Sequence, residues 1–133
     1  MTPAQKPLEL ILTRQLASYL AMPLLIFDRE VNLLFYNAPA EAILGRRFAE
    51  TGEMRLADWA GIMPLYQEDG TPIPPEDRPL VVAMREGRPV HRRLRLVGLD
   101  GRSRRIESTS FPLEGQGGRH LGGVVIFWEL DQP

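Results

Sequence analysis

Residues 23–45 constrain the fold most, because they combine two short apolar runs with a helix that is marked at both ends. The apolar runs cover residues 24–27 and 33–36, and the polar residues 28–30 separate them. Such a pattern predicts a β-hairpin. Asn37 is suited to cap the helix that follows by accepting a hydrogen bond from the amide of Ala40, and Gly45 is suited to end it in a left-handed conformation.

The hairpin is apolar at both alternating positions, which predicts a sheet covered on each face. Upstream, apolar residues recur at helical spacing on one side of residues 8–20. We therefore expect an amphipathic helix that starts at Pro7 and ends near Pro23. Its apolar stripe needs a partner and consists of Leu8, Ile11, Leu12, Leu16, Tyr19 and Leu20.

The second half of the chain begins with turn residues at 66–77, where Asp-Gly and Pro-Pro are strong breakers. Asp77 is expected to cap the next helix, with Pro79 in its first turn and Gly87 at its end. Three strands are predicted at 90–97, 104–113 and 122–129, with a tight Asp-Gly turn at 100–101. This order of elements predicts an α+β fold, a five-stranded antiparallel sheet with short helices on one face.

These motifs resemble those of a PAS domain. The family pattern is a strand ending in Asp, a tight turn, a strand ending in Asn and a helix ending in Leu-Gly, and Asp28, Asn37 and Gly45 match it. The phrase DGTPIPPEDRPLVVAMREGRPV resembles a segment of many bacterial PAS domains. Val31 departs from the family, which usually has Gly in this turn. The resemblance spans residues 17–130 and implies a flanking helix at 1–22, a PAS domain at 23–130 and a tail at 131–133.

The resemblance implies a non-catalytic sensory or interaction domain of bacterial signal transduction. Such a domain would bind a small ligand or a partner between its sheet and helices and would signal through a homodimer. The apolar stripe of the flanking helix would form the dimer interface.

The expected signalling partner is a separate protein such as a kinase or regulator. Glu129 and Asp131 place two carboxylates where the family commonly has an Asp-(Ile/Val)-Thr motif, and like charges there oppose a tight strand end unless an Arg neutralises them. If the sequence is the whole natural protein, no linker helix follows 132–133, and output is then expected through the N-terminal helix and the sheet face, to a separate partner.

Ser108 and Ser110 share the strand parity of Ile106, which we take as inward. They are candidates for the polar lining of a ligand pocket, unless each hydroxyl is satisfied by nearby backbone or water. The remaining predicted lining residues are Trp59, Ile106, Val124 and Ile126.

The identity of a cofactor stays open. The chain has no Cys, which excludes disulfides and the cysteinyl-flavin chemistry of light sensors. His91 is a poor haem ligand because it lies beside Arg92 and Arg93 at a strand start that is expected to face solvent. Two histidines are too few and too far apart for a metal site. Trp59 and Trp128 could stack on a planar ligand or fill core.

A net charge of −1 gives no overall reason to bind nucleic acid or an anionic membrane, and no apolar run is long enough to span a bilayer. We expect a soluble cytoplasmic protein. The one charge cluster is either a docking surface for an acidic partner or phosphate, or a solvated strand face, and consists of arginines 88, 92, 93, 95, 102, 104 and 105.

Two other functions remain open. One is a small α+β pocket enzyme, of the cone-like isomerase or hydrolase type, which requires an inward carboxylate as base. The only acids within the predicted strands are Glu107 and Glu129, both expected to point outward, and no catalytic constellation is found, so we do not expect an enzyme. The other is a purely structural dimerisation module without a ligand.

Overall fold

The computed structural model describes residues 8–130, and their strands form one six-stranded antiparallel sheet. In chain order the strands are β1 (Leu24–Asp28), β2 (Leu33–Tyr36), β3 (Leu65–Tyr66), β4 (Val90–Val97), β5 (Ser103–Glu114) and β6 (His120–Glu129). Their order across the sheet is β2-β1-β6-β5-β4-β3. The predicted count of five is therefore wrong by one strand. The two residues of β3 pair with Arg95 and Leu96, and so short a strand leaves no periodic pattern in the sequence.

Within the described residues, five helices flank the sheet: α1 (Leu8–Ala17), α2 (Ala38–Leu44), α3 (Phe48–Thr51), α4 (Leu56–Ile62) and α5 (Pro79–Glu86). Two 3-10 turns lie at Pro75–Asp77 and Gln116–Gly118. Residues of α2, α4 and α5 join the core on one face of the sheet, and α1 packs on the other face. The predicted α+β layout, with short helices on one face and a separate flanking helix, is confirmed.

Both faces of the first hairpin are covered, as its apolar pattern predicts. Leu25 and Phe27 of β1 point into the core beneath the helices. Leu24 and Ile26 point the other way and join a second buried cluster that includes Leu10 of α1. Alternate side chains of β1 therefore pack into two apolar layers, one on each face of the sheet.

Helix α1 is shorter than predicted and turns most of its apolar side chains outward. It ends at Ala17, where the chain continues in turns rather than reaching Pro23. Within the helix only Leu10 and Ala17 are buried. The whole predicted stripe is exposed: Leu8, Ile11, Leu12, Leu16, Tyr19 and Leu20. Pro7, the expected helix start, lies outside the described residues.

The helix ends agree only partly with the sequence. Asn37 Oδ1 accepts a hydrogen bond from Ala40 N at 3.2 Å, and Gly45 is left-handed with φ +83°, so both predicted ends of α2 are confirmed. Asp77 does not cap α5, because it lies in a 3-10 turn and Arg78 occupies the capping position. The cause is Pro79, since a proline forces the residue before it into an extended conformation.

Val31 adopts φ +63°, the left-handed conformation for which Gly is usual. Asp28 holds this turn together, because its carboxylate accepts hydrogen bonds from the amides of Glu30 at 3.0 Å and Asn32 at 2.9 Å. The carbonyl of Val31 also accepts a hydrogen bond from Trp59 Nε1 at 2.9 Å. These contacts impose the turn despite the β-branched side chain.

Arg104 and Asp100 form a bidentate ion pair at the turn between β4 and β5. The distances are 3.3 Å from Nη1 to Oδ1 and 3.0 Å from Nη2 to Oδ2. Next to the pair, the amide of Leu99 donates to the carbonyl of Leu44 at 2.7 Å, which fixes this turn against the end of α2. The hydrogen bonds from Arg104 lower the pKa of Asp100 to about 2.

This pair predicts an acid-sensitive contribution to stability. The folded-state pKa of Asp100 lies below the unfolded value of about 3.9, so the contribution is complete above about pH 4 and is lost as the pH falls toward about 2. We expect Asp100→Asn to reduce the slope of melting temperature against pH in this window. Melting curves of both proteins between about pH 5 and pH 2 check this. Equal slopes would contradict the prediction.

Candidate ligand cavity

A cavity of about 70 Å³ lies between the sheet and the helices α2, α4 and α5. The sheet contributes residues of every strand except β2, and each of the three helices contributes at least one. Of the 16 lining residues, 13 are apolar and three are polar: Arg78, Ser108 and Ser110. A partly open apolar space with a few converging polar groups is a usual form of a small-molecule site.

The cavity wall contains four of the six residues that the sequence nominated for a pocket. Trp59, Ile106, Ser108 and Ser110 line it, and both serines are buried. Neither serine hydroxyl makes a hydrogen bond to another of the residues between 8 and 130. The alternative that nearby backbone satisfies them is therefore not seen.

Val124 and Ile126 do not line the cavity. Val124 lies in the cluster beneath α1, and Ile126 packs against that cluster. Their neighbours Val125 and Phe127 line the cavity instead. The predicted inward parity of β6 is therefore wrong, because residues 124–127 are all apolar and such a run does not reveal which side chains face the helices.

Arg78 is the functional candidate that the sequence did not indicate. Arg78 is only 5% exposed, and its Nη2 donates hydrogen bonds to the carbonyls of Ala60 at 2.9 Å and Met63 at 3.0 Å. Its Nε is buried without a partner. Burial lowers the pKa of Arg78 to about 10, which leaves it cationic at neutral pH. An Arg between Asp77 and Pro79, in a segment rich in turn residues, gives no sequence signal of burial.

Trp59 holds Arg78 from the side. The Arg78 guanidinium carbon lies 4.9 Å from the centre of the Trp59 ring, within the range of a cation–π contact. The same ring packs at 5.2 Å against Phe27. Trp59 is thus part of the cavity wall and is only 4% exposed. Trp128, the other tryptophan, lies 6.2 Å from His91 and not at the cavity.

His91 lies on the opposite face of the sheet from the cavity. Its Nδ1 is 2.6 Å from Thr109 Oγ1, and its Nε2 is 2.7 Å from Glu107 Oε1. Glu107 is also 3.9 Å from Arg93 Nε. The polar partners of His91 are therefore side chains of this outer face, where the sequence placed it.

Glu129 has the same strand parity as Phe127, so the expectation that it points outward is wrong. It lies at the end of the sheet, beyond the cavity wall, with Oε1 3.6 Å from Arg104 Nε. An Arg therefore does accompany this carboxylate at the strand end. Asp131, its expected neighbour, lies outside the described residues.

The arginine cluster at 88–105 is not one solvated face. Arg104 is buried in its pair with Asp100. Arg88 and Arg93 pair with Glu86 and Glu107 at the surface.

The inward carboxylate that a pocket enzyme requires is not among the lining residues, since neither Glu107 nor Glu129 reaches the cavity.

Across residues 8–130, no group of three or more His, Asp or Glu side chains could hold a metal ion. No helix within the same range has the length and apolar character needed to cross a membrane.

Comparisons with known proteins agree with this architecture. The family model described as PAS fold matches residues 18–132. A PAS domain from Colwellia psychrerythraea has a TM-score of 0.63 at 16% identity, with 90% of this chain and 97% of that chain covered. The PAS domain of nitrogen regulation protein NR(II) from Vibrio parahaemolyticus has a TM-score of 0.62 at 19% identity, with 90% and 98% covered.

A LOV domain from the Erythrobacter litoralis EL346 blue-light activated histidine kinase has a TM-score of 0.65 at 19% identity, with 85% of this chain and 99% of that chain covered. No curated protein sequence matches this chain. Because the PAS model covers most of the sequence and the fold agrees with it, the chain belongs to the PAS fold family.

Proposed function

We propose that this PAS domain is a non-catalytic sensory module that binds a small ligand in its cavity and signals through a homodimer formed by α1. The observation that carries the proposal is that the cavity and α1 lie on opposite faces of the same strands. A ligand that displaces one layer acts directly on the strands that support the other.

Strand β6, like β1, contacts both layers directly. Val125 and Phe127 line the cavity, and Val124 belongs to the cluster beneath α1. In a close-packed core, a displacement of one side chain is felt by its neighbours. Filling the cavity would therefore shift β6 and change how α1 is seated on the sheet.

A second copy of this chain is the partner proposed for the exposed face of α1. Both charged residues of α1 interact within the protomer: Glu9 is 3.0 Å from Arg119, and Arg14 lies 4.7 Å from the centre of the Phe35 ring. Most of the side chains that α1 exposes are apolar, and they are Leu8, Ile11, Leu12 and Leu16. Such a face can pair with itself about a two-fold axis, because it needs no oppositely charged partner.

The similar structures support a role in signalling. One is from a nitrogen regulation protein and another is from a blue-light activated histidine kinase. We propose a partner protein of that kind, a kinase or regulator, in a bacterial cytoplasm.

Native mass spectrometry of the freshly purified protein tests the proposal. We expect a dimer mass, with additional mass from any ligand that the cavity retains. A dimer that shows no binding of any small molecule would instead favour the structural dimerisation module. A monomer at all concentrations would contradict the signalling route.

Replacing Leu12 and Leu16 with Glu should break the dimer without unfolding the protomer. Both side chains are more than half exposed within one chain, and Glu is a good helix former. In a dimer, two desolvated carboxylates per chain should raise the dissociation constant at least about a hundredfold. Sedimentation velocity over a range of concentrations measures this change.

Ile62→Glu is the matched control for a single Leu12→Glu variant. Ile62 on α4 is 49% exposed and Leu12 is 52% exposed, so both changes place a charge at a similar apolar surface position. Only the α1 variant should weaken association. Equal effects of the two variants, or an unchanged dimer in the double variant, would contradict the assignment of the interface.

A further inference from the structure

Arg78 is a buried cation without an acidic partner. The guanidinium lines the cavity, and no carboxylate among residues 8–130 lies within ion-pair distance of it. A buried charge is normally paired, because removing it from water is costly. The contacts around Arg78 must therefore explain why the charge is tolerated.

Two features of α4 offset part of the charge. Arg78 Nη2 bonds to two carbonyls at the C-terminal end of this helix, and the guanidinium faces the ring of Trp59. Both interactions favour a cation. They use only two of the five guanidinium N–H groups, so three remain. One of these, on Nε, is fully buried without an acceptor.

The rest of the cavity selects the kind of acceptor. Its other polar groups are the hydroxyls of Ser108 and Ser110, which have no hydrogen-bond partner among the described residues and can donate. All other lining side chains are apolar. A ligand that matches this lining has one compact anionic group, which accepts hydrogen bonds from Arg78 and the serines, and an apolar remainder.

The size of the cavity limits that remainder. A cavity of about 70 Å³ is about half the volume of one that binds benzene, at about 150 Å³, so a ligand seated in it has at most about six non-hydrogen atoms. Propionate and butyrate are within this range. Flavin and haem are far larger than the space.

We propose that the cavity binds a short-chain aliphatic monocarboxylate, with its carboxylate on the Arg78 guanidinium and its alkyl chain among the apolar wall residues. A carboxylate matches the planar donor group of Arg and forms charge-assisted hydrogen bonds with it. This inference rests on the proposed function, since it names the ligand class of the same cavity. The two groups carry opposite charges at neutral pH, because Arg78 is protonated and the carboxylic acid is ionised.

Sodium butyrate and butyramide are the probes, because they have nearly the same shape and differ in charge. Each is titrated into the ¹⁵N-labelled wild-type chain at pH 7 and constant ionic strength. The two tryptophan indole signals report the result, since Trp59 lines the cavity and Trp128 does not. We expect butyrate to move the Trp59 signal and leave the Trp128 signal in place. Butyramide should bind at least about tenfold more weakly.

The comparison of the two probes uses only the wild-type protein, so its result does not depend on whether a variant folds. Equal affinities for butyrate and butyramide would show a cavity that binds ligands without using the charge, which overturns the carboxylate assignment and leaves the proposed function standing. If neither probe shifts the Trp59 signal, the carboxylate assignment is also wrong. The proposed function is then tested separately, by the native mass spectrum.

Arg78→Gln tests the residue itself. It should abolish the difference between butyrate and butyramide, while Arg102→Gln should leave it unchanged, because Arg102 is an exposed residue of the β4–β5 turn. If Arg78→Gln does not fold, Arg78→Lys takes its place. This variant retains the charge and should therefore still bind butyrate more tightly than butyramide. Unaltered butyrate binding by a folded Arg78→Gln protein would contradict the proposal.

Discussion

Gly122→Ala is expected to destabilise the protein by about 3 kcal/mol or more, or to prevent folding. A Cβ atom at this position would overlap the carbonyl oxygen of Phe27 and lie 3.1 Å from its carbonyl carbon. Both are backbone atoms of β1, which pairs with β6 at this point. Gly122 also has φ +157°, which L side chains rarely adopt. The clash can be relieved only by separating two central strands.

Two other glycines provide a graded comparison with the same substitution. Gly123→Ala would place a Cβ 2.7 Å from Leu80 Cδ1 and 3.0 Å from Met84 Sδ, which are ends of flexible side chains on α5. We expect a cost of about 1–2 kcal/mol, since these side chains can move. Gly61→Ala in α4 meets no atom within 4 Å and should stabilise by about 0.5–1 kcal/mol.

Urea denaturation of the three variants measures the series. The predicted order of stability is Gly61→Ala, then Gly123→Ala, then Gly122→Ala. If Gly122→Ala were as stable as Gly123→Ala, the close approach of β1 and β6 at this position would be wrong.

The sequence predicts the elements of this fold better than their faces. Residues 23–45 predict the first hairpin and α2 correctly, because Asn37, Gly45 and the apolar runs act locally. The glycines at 122–123 lie in β6, as predicted, but the sequence does not show that glycine is needed there, because that need arises from close contacts with β1 and α5. Local patterns contain no information on such contacts.

The same limit applies to the cavity. Ser108 and Ser110 follow a clear alternation along β5, so their burial is predictable. The parity of β6 is not, because both of its faces are apolar and covered. The burial of Arg78 depends on where α4 ends, and the sequence near Arg78 does not specify that position. Helix α1 shows the converse, since its stripe is visible in the sequence but faces away from its own sheet.

Asn37→Ala is the second change with a large expected effect. Besides capping α2, the Asn37 Oδ1 atom accepts a hydrogen bond from the amide of Leu24 at 3.0 Å. Its Nδ2 donates to the carbonyls of Ala17 at 3.0 Å and Met22 at 2.8 Å. The residue is only 1% exposed.

Loss of a helix cap alone costs about 0.5–2 kcal/mol. Alanine at position 37 would also remove the partner of the Leu24 amide and of the Met22 carbonyl, at about 1–3 kcal/mol for each group that water does not reach, whereas the Ala17 carbonyl still accepts from the Leu20 amide. We therefore expect a total of about 3 kcal/mol or more, which denaturant midpoints measure. A cost within the range of a single cap would show that these additional hydrogen bonds contribute little.

Asn37→Asp separates the two roles of this side chain. An Asp retains the acceptor for Ala40 and Leu24 but removes the donor that binds Ala17 and Met22. We expect amide hydrogen exchange in α1 to accelerate more than exchange in α2, because the tether of the flanking helix is lost while the cap remains. If α1 and α2 lost protection equally, Asn37 would act on the whole fold and would not specifically hold the flanking helix. If α1 alone loosens, the seating of the proposed dimer helix depends on one buried amide between α1 and the core.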